Sequence, residues 1–183
     1  MRYDFLTSPE HALFEAAQEL SELSFPAPLR RDRSAFAAAF SDPAFECLVF
    51  REREAVIGFV SLWYFPDCLF IEAIAVAPEF RGLGLGSERL RDLMTSVVNP
   101  IAALSPSAYP AALDFFTKNR FVVNQGRYLL PEGVVPEDER ALTLLTYPKP
   151  FTRAKSLALC RDLEERVFPS LFPKRDAKWK AKA

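Results

Sequence analysis

The chain has few of the residues that most often carry catalysis and metal binding. Its 183 residues include one histidine, three cysteines and six glycines. The cysteines, Cys47, Cys68 and Cys160, form no Cys-x-x-Cys pair and have no histidine at metal-ligand spacing. The sequence therefore predicts reduced thiols and no metal site. Catalysis by histidine could use only His11, which we expect at the surface.

An excess of one charge and a long apolar run are also absent. The 23 basic and 24 acidic residues leave a net charge of −1, which favours neither nucleic acid nor an anionic membrane as a partner. No basic region followed by an apolar segment marks the N-terminus, and the most apolar run, residues 68–78, is too short to span a bilayer. We therefore expect a soluble, cytoplasmic protein.

The charge is uneven along the chain. The last ten residues carry a net charge of +4 and leave −5 on the remainder. We interpret residues 174–183 as a solvated basic tail, with docking to a partner as the alternative. The prolines at positions 148 and 150 divide a body, residues 1–150, from an amphipathic helical extension, residues 151–173.

The hydrophobic pattern predicts a mixed α/β body. Helices are expected at residues 8–22, 34–40, 110–119 and 151–168, and another begins after the glycine-rich stretch near residue 85. Strands are expected at residues 45–51, 55–64, 68–76, 101–104, 121–130 and 141–147. The first three strands are separated by short turns and should form an antiparallel meander.

Three of the six glycines alternate with other residues in Arg81-Gly82-Leu83-Gly84-Leu85-Gly86, between a predicted strand and a predicted helix. Glycine accepts a positive φ and lets a ligand approach the backbone. Because the N–H groups at a helix N-terminus attract anions, the segment predicts a phosphate site. It is not a P-loop, since no Lys-Ser/Thr follows, and its spacing differs from the dinucleotide fingerprint. A tight turn without a ligand is the alternative.

The glycine segment resembles the pyrophosphate-binding signature Arg/Gln-x-x-Gly-x-Gly/Ala of the GNAT family of acyl-CoA-dependent N-acyltransferases. The preceding Ile-Ala-Val-Ala-Pro-Glu-Phe resembles the apolar strand and Val-x-Pro segment of that family, and the element order agrees over about residues 1–150. The resemblance implies an α/β (α+β mixed) fold. Its central sheet would be mixed, mostly antiparallel, splayed at two parallel strands around residues 72 and 103 and flanked by helices, with a C-terminal helix added.

The resemblance also implies that acetyl-CoA lies in the splay. Its pantetheine arm would pair with the backbone of residues 73–76, and its pyrophosphate would bind the N–H groups of residues 82–87. Arg81 would orient the turn or contact the phosphates. The residues expected at the cofactor are Ile74, Ala75, Val76, Arg81, Gly82, Leu83, Gly84, Leu85, Gly86 and Ser87.

Direct attack of an amine on a thioester needs a neutral amine, a donor for the developing oxyanion and a proton for the leaving thiolate. Many GNAT members carry an acid nine positions before the motif arginine, at the acceptor site, and Glu72 matches that position. The resemblance makes Glu72 the candidate base, with a structural ion pair or a substrate-orienting contact as the alternative. A backbone N–H near Ile74 or Ala75 is the candidate oxyanion donor. Trp63 either lines the acceptor cleft or belongs to the core.

The source of the thiolate proton is less evident. The family often carries Asn-x-x-Ala-x-x-x-Tyr-x-x-x-Gly-Phe, whose tyrosine lies near the CoA sulfur. In residues 109–121 the alanine and the last phenylalanine match, but Tyr109 replaces the asparagine, Phe116 the tyrosine and Arg120 the glycine. Phe116 has no proton to donate. Either Tyr109 is the general acid, or the thiolate leaves to water, or the site is catalytically weak.

These inferences predict an N-acetyltransferase that transfers an acetyl group from acetyl-CoA to a primary amine. The acceptor stays open among a small amine, a polyamine, an amino acid and a protein N-terminus or lysine. Residues 25–32 and 131–140 should border it. The loop of residues 131–140 contains four acids, Glu132, Glu137, Asp138 and Glu139. These acids either attract a cationic amine or belong to a solvated turn. The alternative function is a GNAT-like module that binds CoA without efficient chemistry and docks a partner through its C-terminal helix.

Overall fold

The computed structural model of the protein describes residues 2–106, 110–125, 128–130, 137 and 140–171. The strands are β1 (Arg2–Leu6), β2 (Phe45–Glu52), β3 (Ala55–Tyr64), β4 (Leu69–Val76), β5 (Ile101–Pro106), β6 (Val122–Val123), β7 (Tyr128–Leu129) and β8 (Ala141–Tyr147). The α-helices are α1 (Phe14–Ser24), α2 (Arg33–Ala39), α3 (Leu85–Ser96), α4 (Pro110–Lys118), α5 (Arg153–Asp162) and α6 (Phe168–Leu171). A π-helical segment, Leu163–Val167, joins α5 to α6, and short 3₁₀ turns occupy Ala27–Leu29 and Pro78–Phe80.

The strands form one sheet in the order β1-β2-β3-β4-β5-β8-β6, and β7 also pairs with β8. Neighbouring strands are antiparallel except β4 and β5, which are parallel. The parallel pairing covers only residues 69–71 against residues 101–103, although both strands continue beyond it. The sheet therefore splays between β4 and β5, which confirms the predicted mixed, mostly antiparallel sheet.

Helices cover both faces of the sheet because both faces are apolar. On one face, Phe14 of α1, Phe36 of α2 and Leu163 of the π-helical segment belong to one buried cluster. On the other face, Leu90 of α3 and Phe116 of α4 belong to a second cluster. The predicted flanking helices are confirmed. No helix within the described ranges is long and apolar enough to cross a membrane.

The N-terminal region differs from the prediction in two ways. β1 was not predicted, and it pairs with β2 at the edge of the sheet, with Phe5 52% exposed. The predicted helix start at residue 8 is wrong, because α1 begins at Phe14. Residues 8–13 form turns in which Nδ1 of His11 accepts a hydrogen bond from the N–H of Leu13 at 3.2 Å. His11 is half-buried in these turns and keeps part of its side chain at the surface.

The predicted strand over residues 121–130 is interrupted. It consists of the short strands β6 and β7, and Asn124 lies between them. Its side-chain Nδ2 donates to Oγ1 of Thr146 at 2.6 Å, and its Oδ1 accepts a hydrogen bond from the N–H of Phe151 at 2.7 Å. Asn124 keeps a backbone bond to β8, from its N–H to the carbonyl of Leu144 at 2.9 Å, and adds side-chain bonds to β8 and to the chain that follows it.

Residues 153–171, which we call the C-terminal segment, pack against the body. α5 begins one residue after Thr152, whose Oγ1 accepts a hydrogen bond from the N–H of Lys155 at 3.3 Å. Arg166 pairs with Asp42 at 2.6 Å. The apolar side of the segment joins the α1 and α2 cluster through Leu159, Leu163, Val167 and Phe168. The predicted basic tail, residues 174–183, lies outside the described residues.

Candidate active site

β4 contains a β-bulge at Glu72. Opposite β3, Ile71 pairs with Leu62 and Ala73 pairs with Ser61, so Glu72 is an extra residue in β4. A bulge bends its strand and leaves the extra residue out of the ladder. This bulge immediately follows Ile71, the last residue of β4 that pairs with β5. The bulge and the splay therefore occur at the same point of the sheet.

The bulge determines which backbone groups face the splay. Backbone groups of successive strand residues point alternately toward the two neighbouring strands. The N–H of Leu69 donates at 2.9 Å to the carbonyl of Pro100, the residue before β5. Before the bulge, the backbone groups of odd-numbered residues therefore face β5. After it, the N–H of Ala77 donates at 2.9 Å to the carbonyl of Ile57 in β3. The backbone groups of Ile74 and Val76 therefore face the open side, whereas those of Ala75 face β3.

The glycine turn lies directly before α3. Gly82 and Gly84 both have a φ of +78°. A Cβ added to either would meet no atom within 4 Å, so the backbone conformation, and not lack of space, requires glycine. Gly84 precedes the 12-residue α3, whose first N–H groups have no acceptor within the helix. The turn thus has the geometry of an anion site.

A cavity of about 550 Å³, which we call the turn cavity, lies over the glycine turn. Among the residues predicted at the cofactor, the turn cavity is lined by Ile74, Val76, Arg81, Gly82, Gly84, Leu85, Gly86 and Ser87. Leu83 is not among its lining residues and is 68% exposed. Lys118, at the end of α4, also lines the cavity and adds a positive charge that the sequence analysis did not identify.

Two polar side chains hold the turn in position. Nε of Arg81 donates to the carbonyl of Val76 at 2.8 Å, and its Nη2 donates to Oγ of Ser24 at 3.1 Å. These contacts are those of an arginine that orients the turn. On the other side, Nδ2 of the buried Asn119 donates to Oγ of Ser87 at 2.9 Å and so links α4 to the first turn of α3. The sequence analysis missed Asn119, because an asparagine at a helix end usually only caps it.

A second cavity of about 530 Å³, which we call the central cavity, lies at the splay. Its lining comes from both faces of the sheet. Phe115 and Phe116 of α4 lie on one face, and Val167 and Phe168 of the C-terminal segment lie on the other. The two cavities share the lining residues Ile74, Val76, Arg81 and Phe115. They are therefore neighbours along the open edge of β4.

Glu72 lines the central cavity in an ion pair with Arg31. Nε and Nη2 of Arg31 donate to its two carboxylate oxygens at 2.7 and 2.9 Å, and Nε1 of Trp63 donates to Oε2 at 2.5 Å. The side chain of Arg31 is 2% exposed and that of Glu72 is 9% exposed. Because a carboxylate has about four acceptor positions, these three donors leave one for another partner. The ion pair that was the alternative interpretation of Glu72 is present.

Arg31 also contacts the C-terminal segment and aromatic rings. Its Nη2 donates to the carbonyl of Val167 at 3.5 Å, and its guanidinium carbon lies 5.4 Å from the ring centroid of Trp63. The sequence analysis missed Arg31, since one arginine among Arg30, Arg31 and Arg33 gives no sign that it is buried. The structure thus joins Glu72, the connection between α1 and α2, and the C-terminal segment through one guanidinium group.

Phe116 lines the central cavity and is 6% exposed, whereas Tyr109 lies outside the described residues. Among the described residues that line this cavity, none is a tyrosine, cysteine or histidine. Nearby, burial and then the charge of Glu72 raise the pKa of the Cys47 thiol, so it stays protonated at neutral pH. The described lining therefore supplies no phenol, thiol or imidazole that could protonate a leaving thiolate.

Among the described strands the sheet is splayed at its one parallel pair, with a cavity at the splay and a glycine turn of anion-site geometry before α3, which is the arrangement expected of an acyl-CoA-dependent acyltransferase. The model of the acetyltransferase (GNAT) family matches residues 11–120, which is more than half of the chain. The chain belongs to this family. A search of the curated proteins found no significant match.

Solved structures of acetyltransferases share the fold at low sequence identity. One is described as an acetyltransferase of the GNAT family from Bacteroides thetaiotaomicron; it is 19% identical and covers 92% of this chain and 98% of its own, with a TM-score of 0.78. A mutant of spermidine N-acetyltransferase from Vibrio cholerae is 15% identical, with coverages of 80% and 94% and a TM-score of 0.61. The ribosomal-protein-S18-alanine N-acetyltransferase from Escherichia coli is 15% identical, with coverages of 82% and 96% and a TM-score of 0.57.

Proposed function

We propose that the protein transfers an acetyl group from acetyl-CoA to a primary amine by direct attack of the amine on the thioester. The observation that carries this proposal is the open edge of β4, which runs from the glycine turn to Glu72 and borders both cavities. One molecule can reach this edge from the α3 and α4 face, and another can reach it from the opposite face. Direct transfer requires two such approaches to one reacting centre.

The turn and the open edge hold the cofactor. The N–H groups of residues 82–87 bind the pyrophosphate at the start of α3, and the charge of Lys118 supports them. Ile74 offers its outward carbonyl to the pantetheine arm, and Val76 offers its outward N–H, because the Val76 carbonyl already accepts a hydrogen bond from Arg81. Ala75 contributes through its side chain, because its backbone faces β3 so closely that a Cβ on Gly58 would lie 2.5 Å from its carbonyl oxygen.

The residues around the bulge act on the reacting atoms. Acetyl-CoA, when bound, supplies an acyl carbon activated by its thiol leaving group. The outward N–H of Ile74 donates to the carbonyl oxygen as negative charge develops there. Glu72 uses its remaining acceptor position to orient the amine and to take its proton, directly or through one water. With Phe116 at the usual phenol position, the proton that Glu72 takes from the amine returns through solvent water to the leaving thiolate.

Steady-state release of the CoA thiol, measured with acetyl-CoA and a panel of primary amines, tests this function. Glu72→Gln should lower kcat by about 10²-fold, as expected for loss of a proton acceptor, while the Kd for acetyl-CoA stays within about twofold. Glu19→Gln, on the exposed side of α1, is the matched control and should leave both values unchanged.

An unchanged kcat in the Glu72→Gln variant would remove Glu72 from the mechanism. Tight binding of acetyl-CoA without transfer to any amine would instead support the non-catalytic CoA-binding module, which the phenylalanine at position 116 favours. Absence of acetyl-CoA binding would make the glycine turn purely structural and would overturn both functions.

A further inference from the structure

The half of the central cavity opposite the glycine turn has apolar walls from three parts of the chain. Side chains come from the connection between α1 and α2, from the residue after β7 together with β8, and from the C-terminal segment. We call this half the acceptor pocket, and it is lined by Phe25, Leu29, Leu130, Leu142, Phe168 and Leu171. All six belong to, or pack against, the cluster on the α1 and α2 face. The pocket thus lies across the sheet from the α4 side chains near the cofactor.

The described residues of the acceptor pocket offer little attraction to a multiply charged amine. Among the described residues that line the central cavity, only Glu72 and Arg81 are charged. The bidentate contact with Arg31 balances the charge of Glu72. In the loop expected to attract a cation, Glu137 is bound by Nη1 of Arg140 at 2.6 and 2.8 Å. A second or third ammonium group would therefore lose its hydration in this pocket without gaining a free carboxylate among these residues.

The wall formed by the C-terminal segment is firmly attached to the body. Arg31 binds the carbonyl of Val167, Arg166 binds Asp42, and the hydroxyl of Tyr128 donates to Glu164 at 3.2 Å. The Bacteroides thetaiotaomicron structure covers 92% of this chain, which is more than the 150 residues of the predicted body. The similarity in fold therefore extends into the C-terminal segment. Stable attachment gives the pocket a fixed shape, as selection of a substrate by fit requires.

We propose that the acceptor is a primary amine carried by an apolar, uncharged body, such as an arylalkyl group, and that the C-terminal segment selects it. This inference rests on the proposed acetyltransferase function. The body lies against Phe168 and Leu171, and the single amino group lies at the remaining acceptor position of Glu72. Burial of an aryl group in such a pocket should raise kcat/KM about ten- to a hundredfold over the same amine without it.

The test compares 2-phenylethylamine, ethylamine and spermidine as acceptors, by kcat/KM from release of the CoA thiol. Calorimetric titration of the CoA-loaded protein with each amine gives a readout that does not depend on turnover. We expect 2-phenylethylamine to exceed both other amines at least tenfold in kcat/KM. Leu171→Asp, at the half-buried end of α6, should reduce that preference about tenfold and improve spermidine relative to it. Ala154→Asp, on the exposed side of α5, is the matched control and should leave the preference unchanged.

The possible outcomes separate this inference from the function on which it rests. Turnover of spermidine in preference to 2-phenylethylamine would overturn the inference and leave acetyl transfer established. Binding of 2-phenylethylamine without turnover of any amine would overturn the transferase function and support the pocket. If 2-phenylethylamine neither binds nor reacts, the apolar acceptor is wrong. A preference unchanged by Leu171→Asp would remove the C-terminal segment from selection.

Discussion

Replacing Arg31 with methionine would leave the buried carboxylate of Glu72 with Trp63 as its one donor among the contacts described above. The side chain of Arg31 is 2% exposed and that of Glu72 is 9% exposed, so the lost guanidinium lies on the buried side of the carboxylate, away from the central cavity. Removing one partner of a buried ion pair costs about 3–5 kcal/mol, because the other charge stays buried without compensation. We therefore expect Arg31→Met to lower the free energy of unfolding by about 3–5 kcal/mol.

The double variant Arg31→Met/Glu72→Gln distinguishes a charge effect from a loss of packing. It removes both charges, so only the glutamine amide needs partners, and its cost should fall to about 1–3 kcal/mol. The assay is urea unfolding followed by far-ultraviolet circular dichroism, analysed as a double-mutant cycle. Arg33→Met is the control, because the pair between Arg33 and Glu15 is 63% and 59% exposed, so water screens it and its loss should cost much less than loss of the buried pair. If Arg31→Met costs no more than Arg33→Met, the buried pair does not stabilise the site.

Three further predictions concern the turn, the leaving group and a thiol. Gly84→Ala should relax the turn away from a φ of +78°, which costs alanine about 1–2 kcal/mol. Because binding must restore that conformation, the calorimetric Kd for acetyl-CoA should weaken about five- to thirtyfold; unchanged affinity would contradict the anion site. Phe116→Tyr places a phenol in the central cavity and should raise kcat at constant KM for acetyl-CoA; an unchanged kcat would show that thiolate protonation is not limiting. Burial, followed by Glu164, raises the pKa of Cys160 from 9.0 to about 11, so iodoacetamide should label it at pH 8 much faster in urea than in the native protein. As the pH rises, the unfolded chain loses the Cys160 proton before the folded protein does, so wild type should lose stability relative to Cys160→Ser between pH 9 and 11. The measurement is the difference between their urea midpoints, and a difference that does not change with pH would contradict the shift.

The features that the sequence predicted well have local signals. These signals are the hydrophobic alternation of β3 and β4, the glycines before α3 and the helical spacing of apolar residues within α3. Each can be read from a short stretch of neighbouring residues. The family resemblance supplied the parallel pair and the position of the splay. The site residues predicted from it remain proposals about function, but most of the residues expected at the cofactor line the two cavities.

The features that the sequence did not predict depend on contacts between distant parts of the chain. Arg31 is separated from Glu72 by 41 positions and from Val167 by 136, and no local pattern marks it as buried. β1 is a short edge strand that is defined by its pairing with β2, and such pairing is not visible in the sequence of the strand itself. The turns before α1 competed with a helix start in which Ser8 and Pro9 looked favourable, and the side chain of His11 stabilises those turns.

The bulge at Glu72 makes the open edge of β4 depend on residue count more than on residue type. Every side chain from Ala73 to Val76 could change while the same backbone groups continued to face the splay. Deletion of a single residue between Ile71 and Ile74 would instead turn those groups toward β3 and present the wrong set to a ligand. Insertions and deletions in this short interval should therefore be rejected far more strictly than substitutions, and a cleft specified in this way can persist when few identical residues remain.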